Sequence, residues 1–412
     1  MFQNSIYKHQ TAFQKKYRLA DFFERWWDTY AKNPKQYISP EQYKAVNAIR
    51  VCRTPALGVD IYACPDCGEQ TKVYHSCKNR FCPTCSWKDT LKWAERVKNQ
   101  MMNIPHRHLV MTLPHQLNQL IKNNDKYLLN VLMRITAETI KNWMEYKYNL
   151  KPGIISVLHT FGETKNYHPH IHMIVSWGGI EKTSGMLKSI DSLFVNYKFL
   201  QQKFRCMFED ELVMMYDMKQ LKHSFTNRAD LLLFLKMINK NKWVLHFEPP
   251  MEIPEQVIRY IGRYSKRTCL SEYKITKMEG EYISFRYKDY TSLDKNKKPI
   301  EKVMELHYRD FFPRLLQHVP LKGFRLVRYY GVYSNKYKIP KEYLSKDTEV
   351  TVAEEQYINM EAEEKKQCLI CKKCGKTKTY QFTVIINRLS LNKKIYERKE
   401  LKGYSKNNIK AA

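Results

Sequence analysis

Apolar residues recur at three- and four-residue spacing through "LADFFERWWDTYAK" and "EQYKAVNAIR", so residues 19–50 are expected to be helical. The same period predicts helices over 87–102 and over "KYLLNVLMRITAETIKNWMEY" (126–146). Between them, "HRHLVMTLP" (106–114) is short, apolar and ended by Pro114, as a buried strand would be. Two further apolar segments, "GIISVLHTFGE" and "HPHIHMIVSW", read as neighbouring strands joined by a polar turn. A helix-rich region follows over 185–240. Next comes "PEQVIRYIGRYSKR" (254–267), where Pro254 and Glu255 make a good helix start and Val257, Ile258 and Ile261 an apolar stripe. "YISFRYKDY" predicts a strand, and "KVMELHYRDFFPRLLQHV" a strand followed by a helix. Strands interleave with helices throughout, which predicts an α+β fold built on an antiparallel sheet with flanking helices.

The pattern changes near residue 338, where an acidic patch, "EVTVAEEQYINMEAEEKK", precedes a Lys-rich tail. The expected organisation is a helical DNA-binding domain over 1–100, a central core over 101–337 and a C-terminal appendage over 338–412. Charge narrows the function. The 412 residues carry 71 Lys and Arg against 41 Asp and Glu, a formal net charge of +30. So large an excess favours a polyanionic partner, because neutralising phosphates releases condensed counterions. Nucleic acid is preferred over an acidic membrane surface. No stretch approaches the roughly 20 apolar residues of a spanning helix, and the first twenty residues lack the apolar centre of a signal peptide. The expectation is a cytoplasmic protein with no membrane partner.

The 11 cysteines are clustered, six of them between Cys52 and Cys85 and three between Cys368 and Cys374. In a reducing compartment, paired CxxC motifs indicate zinc rather than disulfides. "CPDCGEQTKVYHSCKNRFCPTC" pairs Cys64 with Cys67 and Cys82 with Cys85, fourteen residues apart. That spacing predicts one structural Zn²⁺ held by Cys64, Cys67, Cys82 and Cys85, with Cys77, His75 and Cys52 as spare ligands for this site or a second one. A closed four-thiolate site leaves no open position for catalysis, and Lys72, Lys78, Arg80 and Lys88 around it suit DNA contact. "CLICKKCG" offers three further thiols, Cys368, Cys371 and Cys374, as a zinc knuckle to be completed from elsewhere.

"YHPHIHMIVSWGG" (167–179) packs three histidines into five positions. Alternate residues of a strand share a face, so His170 and His172 lie about 6–7 Å apart and can grip one ion. His168 has the same parity but sits at the strand entrance beside Pro169, closer to a supporting role or a DNA contact. A third ligand is expected from the preceding strand. Glu163 is its nearest acidic residue, and His159 shares the parity of the site. An isolated His-x-His is ordinarily a surface feature; the apolar strand and the nearby carboxylate favour a metal. Two imidazoles and a carboxylate leave coordination positions open for Mg²⁺ or Mn²⁺ at a phosphate. On helix 254–267, Tyr260 and Tyr264 project from one face, with Arg259, Arg263, Lys266 and Arg267 around them. A phenol directed at a metal-polarised phosphodiester is a covalent nucleophile. Without the histidines, two tyrosines buried against a core would be the simpler explanation.

Taken together, "HPHIHMIV", preceded by "LHTFGE" and followed by "YIGRYSKR", resembles the HUH transposases with two tyrosines, and more narrowly the insertion-sequence ninety-one family of rolling-circle transposases. "SCKNRFCPTC", "MTLPHQL" and "LKGFRLVRYYG" extend the resemblance over roughly residues 40–335. It implies an HUH endonuclease core that cuts and rejoins single-stranded DNA at element ends. His170 and His172 match the family's metal histidines, and Tyr260 and Tyr264 its paired nucleophiles, which form a 5′-phosphotyrosine and a free 3′-OH. Unwinding would fall to host replication or helicase machinery, since no helicase motif is present. The nearest alternative is a plasmid replication initiator or relaxase of the same chemistry. An alternative of another class, a non-catalytic zinc-containing regulator, explains the charge and cysteines but not the His-x-His and the tyrosine helix.

Overall fold

The computed structural model describes residues 17–192, 194–240, 243–251, 268–345, 370–386 and 393–396. Helix 254–267, with Tyr260, Tyr264, Arg263, Lys266 and Arg267, lies outside the described residues, as do Cys368 and the acidic patch. The chain begins with helices α1 (Leu19–Ala31) and α2 (Pro40–Arg50), strands β1 (Val59–Ala63) and β2 (Gln70–Tyr74), and helix α3 (Pro83–Lys98). Strand β3 (His106–Thr112), helices α4 (Asn118–Asn123) and α5 (Asp125–Tyr148), and strands β4 (Leu150–Lys151), β5 (Gly153–Phe161), β6 (Tyr167–Ser176), β7 (Gly178–Glu181) and β8 (Leu187–Ser189) follow. Helices α6 (Tyr197–Asp217) and α7 (Arg228–Ile238) precede β9 (Val244–Phe247), β10 (Ile275–Glu279), β11 (Tyr282–Leu293) and β12 (Pro299–His307). Helix α8 (Tyr308–Leu316), β13 (Val327–Gly331), β14 (Thr379–Ile386) and β15 (Lys393–Tyr396) complete the order. The α+β expectation holds, with every described strand pairing antiparallel.

The chain divides into two compact units, one formed by 1–86 with 347–412 and the other by 87–346. Within the segment expected to be an appendage, residues 379–386 instead join the first unit. β14 pairs antiparallel with β1, from Val59 opposite Val384 to Ala63 opposite Thr379, and completes the sheet β15-β14-β1-β2. Val59, Ile61 and Val384 give this pairing its apolar face, a reason invisible when 379–386 is read alone. In the same unit, α1 and α2 form a hairpin. Ser39 and Gln42 close a capping box at the start of α2, Trp27 meets Tyr43 at 5.5 Å, and Arg50 bridges Glu24 and Asp28 at 2.8 and 2.9 Å.

The second unit is centred on a five-stranded sheet ordered β13-β5-β6-β3-β9. Period-two alternation gives its two faces different fates. Leu109, Met111, Ile154, Leu158, Ile171, Met173 and Val175 point into the main core, where α5 contributes Leu128, Leu132 and Ile140, and α6 contributes Phe204, Phe208 and Leu212. The opposite face carries Ile155 and Ile174 under Trp93, Val97 and Met101 at one end, and histidines at the other. A small sheet, β10-β11-β12, packs with α8 by burying Phe285, Phe311 and Phe312.

A candidate metal centre and two cysteine quartets

Register brings the histidines together. His159 on β5 stands opposite His170 on β6, and Val157 opposite His172, so all three imidazoles rise from one face. β3 adds His108 to that face, opposite Ile174. The ligand nitrogens of His159, His170 and His172 lie within 4.8 Å of one another, and Nε2 of His170 is 3.1 Å from Nε2 of His172. Nitrogens bound to a shared ion at about 2.1 Å are separated by roughly 3–3.5 Å, so His170 and His172 are already at ligand spacing, with His159 close by.

Hydrogen bonds set the tautomers. Nδ1 of His170 lies 2.8 Å from the carbonyl oxygen of His168, to which it can only donate. That leaves the Nε2 lone pair of His170 facing the cluster. His168 thus supports the site through its backbone. Nδ1 of His172 is 2.9 Å from Nε2 of His108. A proton on that Nδ1 is shared with His108 and again frees Nε2 for an ion. Burial works in the same direction: it pushes His170 down to about 3, with His159 adding repulsion, and holds His172 well below the usual imidazole range. His170 and His172 are therefore neutral near pH 7, as metal ligands must be.

Glu163 does not join them, which corrects the two-imidazole, one-carboxylate expectation. The chain leaves β5 at Phe161 and turns tightly, with the Lys165 N–H bonded to the Gly162 carbonyl at 3.1 Å and Lys165 at a φ of 63°. The turn carries the Glu163 carboxylate to Lys274 Nζ at 2.9 Å and the Lys288 N–H at 3.2 Å. Burial opposes its charge, but Lys274 prevails and keeps it below its ordinary value. His159, noted in the sequence only for its parity, is the side chain that stands beside His170 and His172 instead. His108 was missed as a functional residue, although the alternation His106–His108 along a buried strand puts it on the ligand face.

The cysteines form two quartets, and the expected set of Cys64, Cys67, Cys82 and Cys85 is not one of them. Cys82 and Cys85 meet Cys52 and Cys77, whereas Cys64 and Cys67 meet Cys371 and Cys374. The β1–β2 hairpin separates the two CxxC pairs, which spacing along the chain could not reveal. In the first quartet, Cys52 and Cys85 sulfurs are 3.5 Å apart, Cys77 and Cys85 3.6 Å, and Cys82 and Cys52 3.7 Å. A zinc tetrahedron with bonds of about 2.3 Å has edges of about 3.8 Å. Sulfurs this close cannot all ionise unaided: contact with Cys77 brings Cys52 down to about 7, while Cys52 drives Cys82 upward. A divalent cation resolves the conflict, and structural Zn²⁺ fits the four buried or half-buried thiols. His75 is engaged elsewhere, 2.9 Å from Asp60 and 3.1 Å from the Leu57 carbonyl. Between Cys77 and Cys82 the chain exposes Lys78 and Arg80.

Comparison with known proteins agrees with this layout. Residues 22–113 match the family described as "Transposase zinc-binding domain", and residues 153–341 that described as "Putative transposase". The first match contains the whole first quartet, and the second spans the strands of His159, His170 and His172. The chain is 31% identical over 331 residues to "Putative transposase y4qJ" of Sinorhizobium fredii, covering 78% of this chain and 82% of that protein. It is 26% identical over 303 residues to "Transposase for insertion sequence element IS801" of Pseudomonas savastanoi pv. phaseolicola, covering 72% and 71%. A shorter likeness, 27% over 124 residues, joins it to "Protein rep" of Staphylococcus aureus, covering 26% of this chain and 49% of that one. No solved structure matches, and among the described residues no helix is long and apolar enough to cross a membrane. With its zinc-binding and transposase regions in order and its resemblance to these transposases over most of its length, the chain belongs to the insertion-sequence ninety-one family of transposases.

Proposed function

We propose that this transposase cuts and rejoins single-stranded DNA at the ends of its element through a 5′-phosphotyrosine, driving rolling-circle transposition. The carrying observation is the convergence of three imidazoles on one sheet face. Tyr260 and Tyr264 are the proposed nucleophiles. The phenolic oxygen of one attacks the scissile phosphorus after losing its proton, the bond from phosphorus to the 3′ oxygen breaks, and that oxygen takes up a proton. The product is a 5′-phosphotyrosine and a free 3′-OH. Reversal by a 3′-OH rejoins strands without an external energy source, and the second tyrosine permits a second cut while the first strand remains attached. His159, His170 and His172 would hold a divalent ion, which when bound supplies Lewis-acid polarisation of the scissile phosphate. Arg263, Lys266, Arg267, Lys78 and Arg80 are proposed to contact the DNA backbone, with host replication or helicase proteins exposing the single strand.

The three-imidazole set shifts the expected metal. Carboxylates and water suit Mg²⁺, whereas imidazole nitrogens favour transition ions, so Mn²⁺ should support cleavage at lower concentration than Mg²⁺. Incubation with labelled single-stranded element ends and either ion, followed by denaturing electrophoresis, tests the proposal. A protein-linked 5′ product is expected from the wild type. It should disappear in the Tyr260→Phe/Tyr264→Phe double variant and in His170→Ala/His172→Ala. A covalent product that survives the double tyrosine substitution would overturn the assignment of the nucleophiles, and binding of authentic ends without any covalent product would favour a regulator.

A further inference from the structure

The second cysteine quartet joins positions about three hundred residues apart, and its backbone is built twice in the same way. Cys64-Pro65-Asp66-Cys67-Gly68 and Cys371-Lys372-Lys373-Cys374-Gly375 are both CxxCG turns. In each, the glycine N–H donates to the first cysteine's carbonyl, at 3.0 Å for Gly68 and 2.9 Å for Gly375. In each, the first cysteine's N–H donates to the residue after the glycine, at 3.0 Å to Glu69 and 2.8 Å to Lys376. Both glycines take positive φ, 67° and 74°, where a side chain would be strained. These are two matching knuckles set face to face. Their sulfurs approach to 3.4 Å between Cys64 and Cys374, 3.3 Å between Cys67 and Cys371 and 3.9 Å between Cys67 and Cys374. Those spacings bracket the ~3.8 Å edge of a ZnS₄ tetrahedron.

The strands behind the knuckles complete the unit. One knuckle turns β1 into β2; the other feeds β14, which returns alongside β1. Around the quartet, Lys376 pairs with Asp66, and Lys378 Nζ reaches Thr71 Oγ1 at 2.7 Å and the Glu69 carboxylate at 3.7 Å. Glu69 also lies 2.9 Å from the Cys371 sulfur. The apolar support is small: Val59, Ile61 and Val384 are buried with Phe382 against them. Beside the β1–β14 ladder, so small an apolar cluster is a slender core for holding a distant chain segment, and an internal cross-link is expected to add to it.

We infer that a second Zn²⁺, bound by Cys64, Cys67, Cys371 and Cys374, closes a zinc ribbon assembled from two remote parts of the chain. The ion makes residues 370–386 a structural part of the N-terminal unit. On binding, each thiol gives its proton to solvent and its sulfur lone pair to the metal, leaving a ZnS₄ centre of net charge −2. Lys376 and Lys378 stand beside that charge, and Lys372 and Lys373 occupy the knuckle itself.

The test is metal analysis of the purified full chain with hydrogen–deuterium exchange. In the His170→Ala/His172→Ala background, which removes the imidazole set as a third zinc site, two Zn²⁺ per chain are expected, and one once Cys371→Ser/Cys374→Ser is added. That variant should lose amide protection over 59–63 and 379–386 while 19–50 stays protected. Should it fail to fold, cobalt replacement in the wild type still decides, because thiolate-to-cobalt absorption scales with the number of Co–S bonds and should correspond to eight. One zinc per chain in the His170→Ala/His172→Ala background, four Co–S bonds, two zincs retained there after the cysteine substitutions, or unchanged protection over 379–386 would each overturn the inference.

Discussion

His108 illustrates how much of the candidate metal centre depends on a residue outside the three converging imidazoles. Its Nε2 is 2.9 Å from Nδ1 of His172, and burial pushes it down to about 3, with His246 and His159 adding repulsion. It is therefore a neutral acceptor that fixes the His172 ring and tautomer. Losing such a support typically weakens metal binding 10- to 100-fold, by roughly 1.4 to 2.7 kcal/mol. We expect His108→Ala to raise the Mn²⁺ dissociation constant by about that factor, read by electron paramagnetic resonance, with His108→Gln recovering part of it through an amide oxygen acceptor. An unchanged constant in His108→Ala would remove His108 from this role. At this scale the sequence was legible where chemistry is local. His170 and His172 could be paired from strand parity alone, because two residues on one strand carry their own geometry. Glu163 misled because the Gly162–Lys165 turn rotates it out of the strand's alternation, and a carboxylate follows the nearest ammonium, here Lys274.

Among the elements, β13 depends on a backbone contact that only glycine permits. Gly331 has a φ of 61°, and a Cβ built there would fall 1.8 Å from the Pro152 carbonyl oxygen. That oxygen accepts the Val332 N–H at 3.0 Å, so it cannot simply retreat. Gly331→Ala must therefore break this bond or displace β13 from β5. We expect a loss of about 3 kcal/mol, visible as a lower calorimetric midpoint and faster exchange of the 153–157 amides; a shift within error would mean that the edge yields easily. The helices and strands themselves were readable from their periods: α1, α2, β3, β5 and α8 fall within the segments those periods marked, and α5, β6, β11 and β12 overlap theirs and run past an end. Pairing was less readable. β14 looks like part of a basic tail because its partner, β1, lies over three hundred residues upstream, and no local pattern encodes so remote a neighbour.

The whole molecule should be acid-sensitive for reasons that lie outside the metal site. His106 is fully buried against the Tyr333 hydroxyl at 2.6 Å, and His318 lies between Thr160 at 3.0 Å and the Lys165 carbonyl at 2.9 Å. Burial pushes each down to about 4, below the ~6.5 of an unfolded histidine. Between these values the unfolded chain binds more protons than the folded one, so the stability these residues contribute is complete above pH 6.5 and is lost as pH falls toward 4. The unfolding midpoint of the His106→Asn/His318→Asn variant should therefore vary less than that of the wild type across this window; parallel curves would assign the acid response to other groups. The +30 charge and the cysteine clusters were enough to suggest DNA and zinc from sequence, but not that the zinc-binding unit is discontinuous. That discontinuity has a consequence in time. Cys371 follows Cys67 by 304 residues, and a ribosome adding about 5 to 20 residues per second needs roughly 15 to 60 s to cross that distance. Until then β1 waits with one edge unpaired, so a polypeptide released early from a broken message cannot finish its first sheet. The fold would then discriminate between whole products and fragments before either meets DNA.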